Sequence, residues 1–218
     1  MRSFKRQQLA VVIAFAALAA AATAYALWPT EPQGQIGLRA ADPRAGALPV
    51  AFAAPQFAFP DQDDATFGTD NLRGRVTIVD FIFTSCANTC PKMTAKRAEL
   101  QKLIADPRVT FLSISVDPAR DDRATRKSYA AANQLDESRW RFISPPDKES
   151  ALKVAQQMKI AAGGPHSHGE SPILHSDRFV LIDATARVRG AYAITDETAM
   201  TRLVRDANGL ASEIPVTK

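Results

Sequence analysis

Apolar positions along the chain change period several times, and each change marks an element. Val76 to Phe83 is a nearly continuous apolar run rich in β-branched and aromatic residues, which predicts a buried strand. After Cys90 the period lengthens. Met93, Leu100, Leu103 and Ile104 share one face of a helical repeat, with Lys92, Lys96, Arg97 and Glu99 elsewhere, so a helix is expected as far as Ala105. Asp106-Pro107 ends it. Val109 to Val116 is a second strand apolar on both faces, which suits a parallel sheet covered by helices. The spacing then predicts a helix over 121–133 with Ala124, Tyr129 and Ala132 inward, and a short strand over 140–143. A clear amphipathic helix over 147–160 turns Leu152, Val154, Ala155, Met158 and Ile160 to the core. Phe179 to Asp183 and Val188 to Tyr192 read as a hairpin, and a last helix over 196–208 stops at Gly209. Upstream, Phe57 to Thr69 alternates around the polar turn Asp61-Gln62-Asp63-Asp64, which fits a small β-hairpin. Strands alternating with helices make the fold class α/β.

Two stretches precede this domain. Leu9 to Trp28 is twenty residues without a charge, long enough to cross a bilayer core of about 30 Å as a helix. Arg2, Lys5 and Arg6 before it predict a cytoplasmic N-terminus with the remainder exported. A cleaved signal peptide is the competing reading, because Ala24-Tyr25-Ala26 resembles a cleavage site; the length of the run favours a retained anchor. No cysteine follows it, so no lipid is expected there. Five prolines and three glycines lie between Pro29 and Pro55 without periodicity, the composition of a tether. The expected organisation is therefore an anchor over 1–28, a flexible linker over 29–54 and one domain over 55–218, in the bacterial inner membrane as a single pass with the C-terminal domain in the periplasm. Three of the 27 basic residues precede the span, which leaves the rest nearly balanced against 23 acidic ones. With no basic helix, aromatic-basic platform or phosphate loop, nucleic acid is not an expected partner.

The only two cysteines, Cys86 and Cys90, sit where the first buried strand gives way to a helix, with Pro91 in the first helical turn. Residues four apart project from one face of a helix, so the two sulfurs can converge. Backbone N–H groups at a helix start stabilise a thiolate, the form that attacks and that binds metal. Two thiolates are a soft pair, suited to Cu(I), Zn(II) or an iron–sulfur cluster, but too few for a closed zinc site or a cluster. The same pair could cycle as a disulfide couple. A structural disulfide is the bland alternative, and so short a loop would stabilise little.

Four segments carry a family resemblance. They are Phe83-Thr84-Ser85-Cys86 through Cys90-Pro91; Leu112 to Pro118, followed by Asp121 and Asp122; Trp140-Arg141-Phe142; and His175-Ser176-Asp177 through Asp183. In this order they resemble the Sco/SenC family, thioredoxin-like copper proteins that help assemble the copper site of cytochrome c oxidase. The resemblance implies a thioredoxin-like fold and a copper site made of Cys86, Cys90 and His175. It implies as partners a client oxidase subunit, and other copper chaperones or thiol reductants. Ala87-Asn88-Thr89 departs from the Pro-Asp-Val often found between the cysteines, which leaves the ligands intact.

All three histidines fall within ten residues, His166, His168 and His175. An H-x-H in a Gly/Pro loop is either an accessory copper site or a polar loop. Asp117, at the carboxyl end of a central strand, could orient His175 or tune a thiol, or cap the next helix. Met93 and Met158 are soft sulfur candidates at helical core positions, where packing is the better reading. The expected function is a copper chaperone that delivers copper to, or prepares, an oxidase. The alternative is a thiol-disulfide oxidoreductase with Cys86 and Cys90 as its redox pair, against which stand the C-x-x-x-C spacing and a histidine it does not need. A peroxidase built on Cys86 has no supporting Arg/Thr constellation.

Overall fold

The computed structural model describes residues 48, 50–86, 89–160 and 177–215. In chain order these form β1 (Phe52–Ala53), β2 (Ala58–Pro60), β3 (Thr66–Gly68), a 3₁₀ turn (Thr69–Leu72), β4 (Val76–Ile82), α1 (Thr89–Leu103), β5 (Val109–Ser115), α2 (Arg123–Ala132), β6 (Trp140–Ile143), α3 (Lys148–Gln157), β7 (Arg178–Ile182), β8 (Arg187–Ala193) and α4 (Glu197–Ser212). Six strands make one sheet in the order β1-β8-β7-β4-β5-β6, and β2 pairs with β3 as the separate hairpin. β4, β5 and β6 are parallel, while β7 runs antiparallel to β4 and β8 antiparallel to β7. This is the expected α/β, thioredoxin-like architecture. Every residue of β4 and of β5 is buried, so both faces of the sheet centre are covered and neither strand can alternate.

Short aspartates set the helix starts. Asp122 accepts the Thr125 N–H at 2.7 Å and Asp147 the Ser150 N–H at 2.7 Å. Asp196 accepts from both Thr198 and Ala199. Three expectations need correcting. α4 passes through Gly209 and ends at Ser212, because Leu210 and Ala211 still face the core and their burial outweighs the roughly 1 kcal/mol cost of a helical glycine. α2 buries Arg126 and Ala130, while Ala124 and Ala132 are exposed. Phe52–Ala54, the end of the expected linker, belongs to the domain: β1 pairs with β8, and Ala54 is buried. Among the described residues no helix is long and apolar enough to cross a membrane. The span expected at Leu9–Trp28 lies outside them, as do His166, His168 and His175.

The polar turn between β2 and β3 is solvated at Asp63 and Asp64 but not throughout. Asp61 and Gln62 are buried. The Asp61 carboxylate accepts the N–H groups of Asp63 and Ala65, closing the turn. Gln62 reaches the outer edge of β6, where its Oε1 accepts the Phe142 N–H at 2.9 Å and its Nε2 donates to the Trp140 carbonyl at 3.4 Å. One side chain thus supplies the pairing that a seventh strand would give there. The Ser144 N–H, just past β6, donates to the Pro60 carbonyl at 3.0 Å.

α1 packs on the sheet through a stripe that is half polar. Met93, Leu100 and Ile104 are buried as expected, but so are Thr94, Arg97 and Gln101, while Leu103 is 58% exposed. Arg97, expected on the outer face, lies inside at 1% side-chain exposure against an equally buried Asp80 of β4. Its Nε donates to Asp80 Oδ2 at 3.2 Å, Nη2 donates to the same oxygen, and its Cζ sits 5.4 Å from the centre of the Trp140 ring. Trp140 Nε1 donates to Ser113 Oγ at 2.9 Å. Thr94 and Tyr129 share a hydrogen bond between their hydroxyls. Asp80 Oδ1 and Arg97 Nη1 find no hydrogen-bond partner among the described residues.

Removing one member of such a pair strands the other charge. Arg97→Met should therefore cost about 3–5 kcal/mol in chemical denaturation, and Asp80→Val combined with Arg97→Met should recover most of that loss. A double variant no more stable than Arg97→Met would show that the pair is not the source of the cost.

Candidate metal centre

β4 is hydrogen-bonded on both edges, and its end is where the cysteine loop begins. Phe83, Thr84 and Ser85 lead to Cys86, and helix α1 opens at Thr89 with Cys90 in its first turn. Three hydrogen bonds shape the approach. The Val116 N–H donates to the Ile82 carbonyl at 3.0 Å, the Thr84 N–H to Asp121 Oδ1 at 3.1 Å, and the Cys86 N–H to the Phe83 carbonyl at 3.3 Å. The Cys90 N–H then donates to Cys86 Sγ at 3.4 Å. This contact brings the two cysteines together at the helix start and gives Cys86 a donor that favours its thiolate.

Both cysteines are buried thiols, 8% and 5% exposed, and are not joined in a disulfide. Burial pushes the Cys90 thiol well above its ordinary value of 9.0, against the Phe83 backbone N–H, which favours the thiolate; the Cys86 sulfur and the Asp80 carboxylate add to the upward push. Cys90 is therefore protonated at neutral pH. Beneath it on the same helix face lie Thr94 and Arg97, so the interior wall under the cysteines is polar. Two adjacent thiols at a helix start can hold a soft metal ion or close into a disulfide. Among the described residues no three His, Cys, Asp or Glu side chains are arranged to hold a metal ion.

Of the expected site residues, the structure brings Cys86 and Cys90 together, and His175 lies outside the described residues. Met93 and Met158 are fully buried among apolar side chains, as packing requires. Asp117 does not cap α2. Its carboxylate lies 3.5 Å from Arg120, and the cap is Asp122. Sequence reasoning gave Asp121 no role in the site, placing it only at the start of the helix expected over 121–133. It is fully buried, with Thr84 and Ser115 as partners. Its place just beyond the carboxyl end of a central parallel strand was the available signal.

The model of the SCO1/SenC family matches residues 47–208. The SCO1 protein homolog of Bacillus subtilis is 28% identical over 167 residues, 75% of this chain and 86% of that protein. Among solved structures, BsSco, described as a member of the Sco family of cytochrome c oxidase assembly proteins in which a disulfide switch was identified, aligns with a TM-score of 0.66 and 27% identity over 77% of this chain and 99% of its own. The copper-bound ScoI of Bradyrhizobium japonicum aligns with a TM-score of 0.57 and 26% identity over 71% of this chain and 99% of its own. The family match runs from the edge strand β1 through the cysteine loop and β7 into α4, well over half of the sequence, and so the chain belongs to the SCO1/SenC family.

Proposed function

We propose that this protein binds copper as cargo and serves the assembly of the copper site of a respiratory oxidase, with Cys86, Cys90 and His175 as its ligands. The observation that carries the reading is the convergence of the two thiols at the start of α1, with the Cys90 N–H on Cys86 Sγ at 3.4 Å. Thiolates are soft donors and select Cu(I). The copper-bound ScoI structure and the description of BsSco as an oxidase assembly protein supply the metal and the client class.

Support for His175 is topological. β7 pairs antiparallel with β4, Val79 opposite Val180 and Thr77 opposite Ile182, so β7 begins beside the end of β4. The residue that opens the described stretch there, Asp177, is two positions after His175. Neutral imidazole is the commonest metal-ligating side chain, and two sulfurs with one nitrogen leave room for an incoming client ligand to attack before an old one departs. A second reading, dithiol–disulfide exchange with client cysteines, is favoured by the same pair of thiols and by the disulfide switch of BsSco.

The deciding experiment is an anaerobic Cu(I) titration of the full chain in detergent, thiols reduced, against a Cu(I) competitor. One equivalent should bind, with affinity reduced by His175→Ala and abolished by Cys86→Ser. Weak uptake indifferent to His175, together with rapid exchange of a Cys86–Cys90 disulfide with added thiols, would turn the assignment to the oxidoreductase.

Proton release gives an independent check. Burial holds the Cys90 proton on at neutral pH, and a metal takes only the thiolate, so loading must expel that proton. Affinity for Cu(I) should therefore rise with pH across the neutral range, by up to about tenfold per unit for each proton displaced, once the competitor's own titration is subtracted. An affinity level from acid to mildly alkaline pH would mean that Cys90 is not a ligand.

We further propose that Leu9–Trp28 remains as a single membrane span with the domain on the periplasmic side. Support comes from the twenty uncharged residues and from Arg2, Lys5 and Arg6 ahead of them. The mature protein should stay with membranes through a high-salt wash; recovery as a soluble protein beginning near Leu27 would establish a cleaved signal instead.

A further inference from the structure

Asp121 is a fully buried carboxylate whose two oxygens are both used. Oδ1 accepts the backbone N–H of Thr84 at 3.1 Å and its hydroxyl at 2.5 Å, and Oδ2 accepts the hydroxyl of Ser115 at 2.6 Å. Thr84 lies two residues before Cys86, and Ser115 is the last residue of β5. One side chain therefore ties the cysteine loop to the end of the neighbouring strand. Asp121 is itself fixed. Its N–H donates to the Asp117 carbonyl at 3.1 Å, and its own carbonyl accepts from Arg126 Nη1 at 2.7 Å. Arg126 is buried in turn, and its Nη2 donates to the Asp61 carbonyl at 2.7 Å, at the tip of the hairpin. A continuous line of hydrogen bonds thus runs from the β2–β3 hairpin through Arg126 and Asp121 to Thr84 and the loop that holds Cys86.

From this geometry we propose that Asp121 is a positioning residue of the thiol site. It clamps Thr84 and thereby fixes where Cys86 sits and how far it is shielded from solvent. The inference rests on Cys86 being a working thiol, as in the proposed function, but not on which metal or disulfide it serves. Burying a carboxylate at this spot is costly unless its hydrogen bonds are complete, and here they are completed by the loop itself. If the loop swings out, Asp121 loses two donors at once, so the loop is held by more than its own contacts.

The test reads the reactivity of Cys86 in the reduced full chain in detergent. Iodoacetamide labelling is followed in time and mapped to each cysteine by mass spectrometry. Replacing Asp121 removes several buried partners together and endangers the fold, so the deciding variant is Thr84→Val, which keeps the shape and deletes the hydroxyl donor. Because labelling of a buried thiol follows local opening, Thr84→Val should accelerate it at Cys86 by about tenfold, the factor given by loss of one charge-assisted hydrogen bond, and Thr84→Ser should restore a rate within about twofold of the parent. Asp122→Ala, which removes the adjacent helix cap without touching the loop, serves as the control and should label Cys86 at the parental rate. The proposal is overturned if Thr84→Val labels Cys86 no faster than the parent, or if Asp122→Ala accelerates it equally. Copper uptake is scored separately: the stated labelling pattern in a chain that takes up no Cu(I) supports the clamp and removes only the copper reading.

Discussion

β4 is held on every side: parallel pairing with β5 along one edge, antiparallel pairing with β7 along the other, and side chains buried on both faces. A strand so confined cannot shift without breaking the sheet. Whatever leaves its carboxyl end inherits that rigidity, and what leaves it is the cysteine loop. An antiparallel β7 begins where β4 ends, so two segments nearly a hundred residues apart in the chain meet at one end of the sheet. No local stretch of sequence could supply that meeting.

Much of this was legible from the order of residue types. The strands were visible because β4, β5 and β7 are rich in branched and aromatic side chains, and α3 because Val154, Ala155 and Met158 recur at helical spacing. The cysteine pair stood out as the only thiols in the chain, placed at a change of period. Other features were hidden for one physical reason: a charged or amide side chain in the interior carries no mark of its partner. Arg97 has the same place in the sequence pattern as Lys96, yet one lies against Asp80 and Trp140 and the other on the surface beside Glu197. Asp121 and Asp122 are neighbours in sequence, but the first is buried under Thr84 and the second caps α2 in solvent. Gly209 misled in the opposite sense, since its flexibility argued for a stop that tertiary packing overrode.

The interior under the cysteines is therefore not an oily one. Asp80, Arg97, Thr94, Tyr129, Trp140 and Ser113 form a polar layer between α1 and the sheet. An apolar layer would be as stable or more so. What the polar groups contribute is direction: hydrogen bonds and a ring-stacked cation permit few alternative packings, where methyl groups permit many. A helix that must present Cys90 at a defined point gains from being seated on such a layer.

The hairpin that tucks Gln62 against β6 bears on how this domain coexists with its neighbours. The outermost strand of an open sheet is a template for any extended chain, and an amide side chain lying along it fills the hydrogen-bonding positions that a stranger would need. A shortened chain that began after residue 69 would lose β1 with the hairpin but retain the other five strands of the sheet, both thiols and α1. It would also present bare N–H and C=O groups along β6, and its copies would be prone to join edge to edge. The hairpin, which supplies neither thiol, is in this sense a cover for the one sheet edge that β6 would otherwise leave open.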